Sequence, residues 1–168
     1  MAEFDLPHFG KLELSSLAYD YDAFVDFKDD SIRIDLNFDI SEVKITNDLM
    51  EKLKSNILDL ENRDLVNMSI LKNDFDNENG EIVRSYLEHH LDDFDEDELE
   101  EIIDTADTET EPIIQLYRKL KLYRVGYYLN SSDMEIIYDY TIGKDFTDYI
   151  VVIKTDLDGN LIYITEES

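Results

Sequence analysis

Cysteine is absent from this 168-residue chain, so a disulfide framework, a thiolate metal centre and a cysteine nucleophile are excluded together. Glycine is scarce, five in all, and none sits in a phosphate-cradling loop; the usual nucleotide-binding folds are not expected, and neither is a cofactor. No apolar run approaches the ~20 residues that a helix needs to span a bilayer. The opening MAEFDLPHFGKLEL has neither the basic start nor the apolar middle of a secretory signal, so the chain reads as cytoplasmic and without a membrane partner. Positive charge is the other shortage: 15 Lys and Arg stand against 42 Asp and Glu, a net charge of −27. Such a field repels nucleic-acid phosphates and anionic lipid, which removes nucleic acid from the expected partners. It attracts cationic surfaces and speeds their encounter, so a basic protein is the partner that charge favours.

What is present begins with strands at both ends. From Leu120 the chain reads as a four-stranded meander, LKLYRVGYYLN, MEIIYDYTIG, DYIVVIKTDL and LIYITEES, each run rich in β-branched and aromatic residues. Turn residues separate the runs: Asn130-Ser131-Ser132-Asp133, then Gly143-Lys144-Asp145, then Asp158-Gly159-Asn160, where glycine can take the positive φ of a tight hairpin. In the third run Tyr149, Val151 and Ile153 alternate with Ile150 and Val152, the pattern of a strand covered on both faces. At the other end FGKLELSS, residues 9–16, predicts a short strand with Leu12 and Leu14 inward. After a bend at Tyr19 to Asp22, AFVDFK and SIRIDLNFD flank Asp29-Asp30 as a hairpin. Its second arm places Ile32, Ile34, Leu36 and Phe38 on one face and Arg33, Asp35, Asn37 and Asp39 on the other, one face buried and one wet.

From Thr46 the apolar period changes from two to 3.6. A first helix is predicted over about Asp48 to Leu60, and a second carries Leu65, Met68, Ile70, Leu71 and Phe75. A third has a broad apolar face of Ile82, Val83, Tyr86, Leu87, Leu91 and Phe94. Leu99, Ile102, Ile103 and Ala106 allow a short helix inside an acidic run, and Pro112 opens a last one with Ile113, Leu116, Tyr117 and Leu120 on one face. These pieces assemble most economically as one α+β domain over residues 1–168. Its single, mainly antiparallel sheet is expected to combine the N-terminal strand and hairpin with the C-terminal four-strand meander, and the central helical block is expected to pack on one face. The hairpin has one apolar face and needs such a cover.

Few residues stand out as chemistry. Glu88-His89-His90 offers metal or acid/base groups, but adjacent helical histidines point about 100° apart and no HExxH spacing is present. His90 reads instead as a hydrogen-bonded core histidine with His89 at its flank. Asp74 to Gly80 resembles a calcium loop and fails on spacing: glycine falls seventh, and Ser85 stands where a bidentate Glu is needed. Asp156 to Asn160 reads as a turn. No catalytic residue and no metal ligand is therefore assigned. Two candidate surfaces for a partner or ligand remain. One is the polar face of the sheet, with Asp35, Asn37, Asp139 and Arg124 brought near one another. The other is the acidic run from Asp92 to Glu111, led by Asp92, Asp93, Asp95, Glu96 and Asp97, which lies near Arg118, Lys119, Lys121 and Arg124 in sequence and so permits internal pairing.

The segments FGKLEL, IDLNFD, YLEHHLDD, LYRVGYYL, DYTIGKDFTDYIVVI and GNLIYITEES together resemble the bacterial family catalogued as domain of unknown function number 2004, over nearly the whole chain. The resemblance implies a fold unit and brings no catalytic motif. Two functional classes follow from the residues. The first is a small acidic binding protein, such as an immunity or inhibitor protein for a cationic protein. The second is a small enzyme or ligand-binding domain that uses the polar sheet face.

Overall fold

The computed structural model describes residues 3–39, 41, 44–130 and 134–168. Its strands and helices are, in chain order, β1 (Glu3–Leu6), β2 (Gly10–Glu13), β3 (Asp20–Phe27), β4 (Asp30–Phe38), α1 (Asn47–Leu58), α2 (Leu60–Asp76), α3 (Ile82–Asp93), α4 (Glu96–Ile102), α5 (Pro112–Lys119), β5 (Lys121–Leu129), β6 (Met134–Thr141), β7 (Ile150–Asp156) and β8 (Leu161–Glu167). The protein is α+β, with a mostly antiparallel six-stranded sheet in the order β3-β4-β5-β6-β7-β8 and a separate two-stranded sheet, β1-β2. The turn expected at Asn130 to Asp133 lies largely outside the described residues. Among the described residues no helix is long and apolar enough to cross a membrane.

Three expectations are corrected. The strand in FGKLELSS does not join the main sheet: β2 pairs with β1, Phe4 opposite Leu12 and Leu6 opposite Gly10. His8 and Gly10, at φ 70° and 71°, fold the chain straight back, so β2 meets its nearest neighbour in sequence first. Phe4, Leu6 and Leu12 still enter the common core. The bend at Tyr19 to Asp22 is strand from Asp20 onward, with Tyr21 opposite Leu36 and edge-on to the Phe38 ring at 6.0 Å. The second helix begins at Leu60, and its buried stripe is Leu60, Asp64, Asn67, Leu71 and Phe75, whereas Leu65 is 61% exposed. Spacings of 4, 3, 4 and 4 put those five residues on one side, and polar Asp64 and Asn67 occupy inward positions.

The helices start where local chemistry satisfies their free N–H groups. Thr46 Oγ1 accepts from the Leu49 N–H at 3.2 Å to cap α1, and Asp95 with Glu98 forms a reciprocal capping box on α4. Asp74 does the same for α3, its carboxylate accepting from the Val83 N–H at 2.7 Å. Gly80 is required in that turn, because a Cβ there would lie 1.8 Å from the Asp74 carbonyl oxygen. Between β4 and β5 the five helices carry the chain back to the same end of the sheet, so these two strands pair in parallel while the other four pairings are antiparallel.

Alternation then sorts the strands by face. Ile32, Ile34, Leu36 and Phe38 of β4 share one face with Val125, Tyr127 and Leu129 of β5, Ile136, Tyr138 and Tyr140 of β6, and Val151 and Ile153 of β7. All are buried, and each fully buried aliphatic side chain contributes about 2 kcal/mol. α2 and α3 reach the sheet from this side: Tyr140 Oη donates to Asp64 of α2 at 2.9 Å, and Tyr86 of α3 accepts from the Ile142 N–H at 3.2 Å.

Candidate functional site on the open sheet face

The face opposite the core begins with β4, which turns Arg33, Asp35 and Asn37 outward. Across the parallel pair Arg33 faces Arg124, Asp35 faces Gly126 and Asn37 faces Tyr128; across the next pair Arg124 faces Asp139 and Tyr128 faces Glu135. A bulge in β5 between Leu122 and Arg124 sets this register. Strict alternation from buried Leu122 would send Arg124 inward; the extra residue, Tyr123, returns it to the open face.

Arg124 is the hub. Its Nε donates to Asp139 Oδ2 at 2.6 Å, and its Nη1 donates to Asp35 Oδ2 at 3.0 Å and to the Tyr128 phenol oxygen at 3.3 Å. Asp35 Oδ1 in turn accepts from Arg33 Nε at 2.7 Å. The network therefore runs Arg33, Asp35, Arg124, Asp139 across three strands. Gly126 makes room for it: a Cβ there would meet the Tyr128 ring at 2.6 Å, so only glycine lets that ring lie across the sheet toward Arg124. Further along, Lys154 of β7 pairs with Glu135 and lies 5.2 Å from the Tyr163 ring centroid.

Asp139 is the unusual member. Its side chain is 3% exposed, and among the described residues Oδ1 has no hydrogen-bond partner. Burial pushes the carboxyl above its ordinary value, against the hydrogen bond and charge of Arg124. Burial alone would lower the Arg124 guanidinium, but the hydrogen bond and charge of Asp139, with Tyr128, hold it above its ordinary value and keep it cationic. At the sheet edge β3 adds exposed Asp20, Asp22 and Phe24, the last 71% exposed and directly across from Arg33.

The nine surface residues expected from sequence fall in two places. Asp35, Arg124 and Asp139 converge; Asn37 lies one or two pairs away on the same face and is not bonded to them. Asp92, Asp93, Asp95, Glu96 and Asp97 are exposed at the α3–α4 junction. There Asp93 sits 3.3 Å from His89, and Asp95 is the cap of α4. Asp107 accepts from the N–H groups of Glu109 and Thr110, with hydrogen bonds to Glu109 and Thr110 lowering its carboxyl from the ordinary value. Among the described residues no ion pair joins this run to Arg118, Lys119, Lys121 or Arg124: Lys121 is taken by Asp30 and Arg124 by Asp35 and Asp139. Arg33, Gly126, Tyr128, Phe24 and the Glu135–Lys154 pair are not singled out by the sequence. For Arg33 and Glu135 a signal exists, a charged residue on the wet side of an alternating strand.

The remaining motifs have structural uses. His90 is 2% exposed; its Nδ1–H donates to the Tyr86 carbonyl at 2.6 Å and its Nε2 accepts from the Thr147 hydroxyl at 2.8 Å. That hydroxyl also accepts from the Tyr149 N–H, which leaves its proton for the imidazole. Burial holds His90 below its ordinary value, so the neutral ring is favoured. The Asp74 carboxylate is spent on α3, and Asp156 accepts from Asp158 N–H, Asn160 N–H and Asn160 Nδ2 to hold the last hairpin turn, where Gly159 takes φ 87°. No family model, curated protein or solved structure matches this chain, so the resemblance noted above rests on its six segments.

Proposed function

We propose that this chain is a small acidic binding protein that receives a basic protein on the open face of its sheet, in the manner of an immunity or inhibitor protein. The observation that carries this reading is how the face distributes charge. The cations Arg33, Arg124 and Lys154 are each tied to a carboxylate, while Asp20 and Asp22 stand exposed beside Phe24. A cationic surface thus meets carboxylates and a rigid aromatic anchor, and the charges of Arg33, Arg124 and Lys154 are offset by their own partners. The net charge of −27 would steer such a partner from a distance. A cytoplasmic setting and membership of the bacterial family belong to the same reading.

Affinity capture from a lysate at low salt tests it, with three variants compared. Asp20→Lys/Asp22→Lys and Phe24→Ser are expected to lose a stoichiometric basic partner at least ~10-fold while keeping stability within about 0.5 kcal/mol, as surface changes do. Glu96→Lys/Asp97→Lys should retain the partner. The reverse pattern would move the docking surface to the acidic run, and no stoichiometric partner at low salt would end the proposal, since such a complex is tightest there. A second reading, a small enzyme or ligand-binding domain on this face, draws on the convergence of Asp35, Arg124 and Asp139. The concavity next to β5 does not serve it, being lined by Phe27, Asp64, Met68 and Leu122 from the core side.

A further inference from the structure

That concavity has features that packing does not explain. α2 buries Asp64 and Asn67 and leaves Leu65 and Val66 61% and 54% exposed, the inverse of what a helix built only to pack would do. The Asp64 carboxylate is 3% exposed and fixed from behind, Oδ1 accepting from the hydroxyl of fully buried Tyr140 at 2.9 Å. Its other oxygen faces a cavity of about 300 Å³ whose apolar walls are Phe27, Met68, Leu120 and Leu122.

A lysine now closes that carboxylate. Lys28 enters from the β3–β4 turn, pairs with Asp64 Oδ2 and holds its ammonium 5.3 Å from the Phe27 ring centroid. It does so from φ 54°, a left-handed conformation that disfavours any residue with a Cβ. A buried carboxylate and an aromatic ring that meet the same ammonium, at the edge of a cavity with apolar walls, form the arrangement that recognises an ammonium. Charge points the same way: the lining holds Asp29, Asp30 and Asp64 against Lys28 and Lys121, within a molecule of net charge −27.

We infer that this cavity binds a primary ammonium carried on an alkyl chain, with Lys28 occupying the ammonium position in the free protein. The incoming ammonium replaces Lys28 on Asp64, its chain lies along Met68, Leu120 and Leu122, and Lys28 swings out to solvent, where its side chain is already half exposed. The same chemistry is offered by a free diamine and by a lysine side chain of another protein. The site stands apart from the open sheet face and does not depend on the docking proposal.

The test is an NMR titration of the full chain in 150 mM NaCl with 1,5-diaminopentane, with N-acetyl-lysine methylamide, and with pentanoate as the anionic control. Saturable shifts of the Met68 and Leu122 methyls are expected with the amines and not with pentanoate. Tighter binding of the diamine identifies a free polyamine-like ligand, and tighter binding of the lysine derivative identifies a side chain. Lys28→Gly, which frees the carboxylate and suits the positive φ, should tighten binding at least tenfold, and Asp64→Asn should weaken it at least tenfold. Met68→Trp, which fills the cavity and leaves the carboxylate intact, should also abolish the Leu122 methyl shifts and decides the matter if Asp64→Asn fails to fold. Non-saturating shifts spread over the acidic surface and indifferent to these substitutions would reduce the effect to diffuse counter-ion binding and overturn the inference. So would an unchanged affinity in Lys28→Gly.

Discussion

On the covered face of the sheet Ile34, Leu36, Val125, Ile136 and Ile153 lie at 0% exposure, whereas on the open face the same strands present Arg33, Asp35, Arg124 and Lys154 in ion pairs. The first face gains its stability chiefly from area removed from water, a contribution that does not rest on ion pairing. On the second, the Arg33, Arg124 and Lys154 pairs are part-exposed, their side chains 16–46% accessible, and solvent screens them in part. The exception is Asp139, buried on the open face and dependent on one guanidinium. The contrast separates what holds the protein together from what it can show to a partner: one face can be fixed in conformation by its ion pairs without being stabilised much by them.

Substitution can break this contrast at either end. The largest effect is expected for Ile34→Ala, which leaves a cavity under the helices and should lower unfolding free energy by about 3–4 kcal/mol in urea titration. A loss below about 1 kcal/mol would mean that the covered face is loosely packed. Arg124→Met comes next, at about 2–3 kcal/mol, because it strands the Asp139 carboxylate without its partner. The double variant Arg124→Met/Asp139→Leu should recover most of that loss; equal instability of single and double variants would show that the guanidinium matters through packing instead.

The smallest effect is a pH dependence. His90 in the folded chain holds its proton less tightly than an ordinary histidine at 6.5, so the unfolded state binds more protons as pH falls through that value. Stability should therefore decline as pH is lowered from 7.5 to 5.5. His90→Gln should flatten the Tm profile in that window relative to the parent chain, and parallel profiles would assign the dependence to other groups.

Much of this contrast is legible in the order of the residues. The alternation of β4 separates Ile32, Ile34, Leu36 and Phe38 from Arg33, Asp35 and Asn37 without ambiguity, and the meander runs are bounded by their own turn residues. Pairing is not legible in the same way, because alternation fixes which way a side chain points and says nothing of the neighbouring strand. The parallel β4–β5 pair and the β1–β2 ribbon escape a sequence reading for that reason. The α1–α2 break at Asp59 carries no glycine or proline to announce it. Grouping Asp35, Arg124 and Asp139 succeeds because each lies on the wet side of its strand, although the bulge at Tyr123, which brings Arg124 there, has no local signature. The Asp64 cavity leaves no trace in the sequence: its partners Lys28 and Tyr140 are 36 and 76 residues away, and the neighbouring Leu65 and Val66 draw attention to the wrong side of α2.

The central claim, that the open face is the docking surface, is tested most directly by carboxyl footprinting of the low-salt complex with its captured basic partner. Labelling of Asp20, Asp22 and Asp35 should fall several-fold on complex formation while Asp92, Glu96 and Asp97 label as in the free protein. Protection of Asp92, Glu96 and Asp97 with unchanged labelling of Asp20, Asp22 and Asp35 would contradict it.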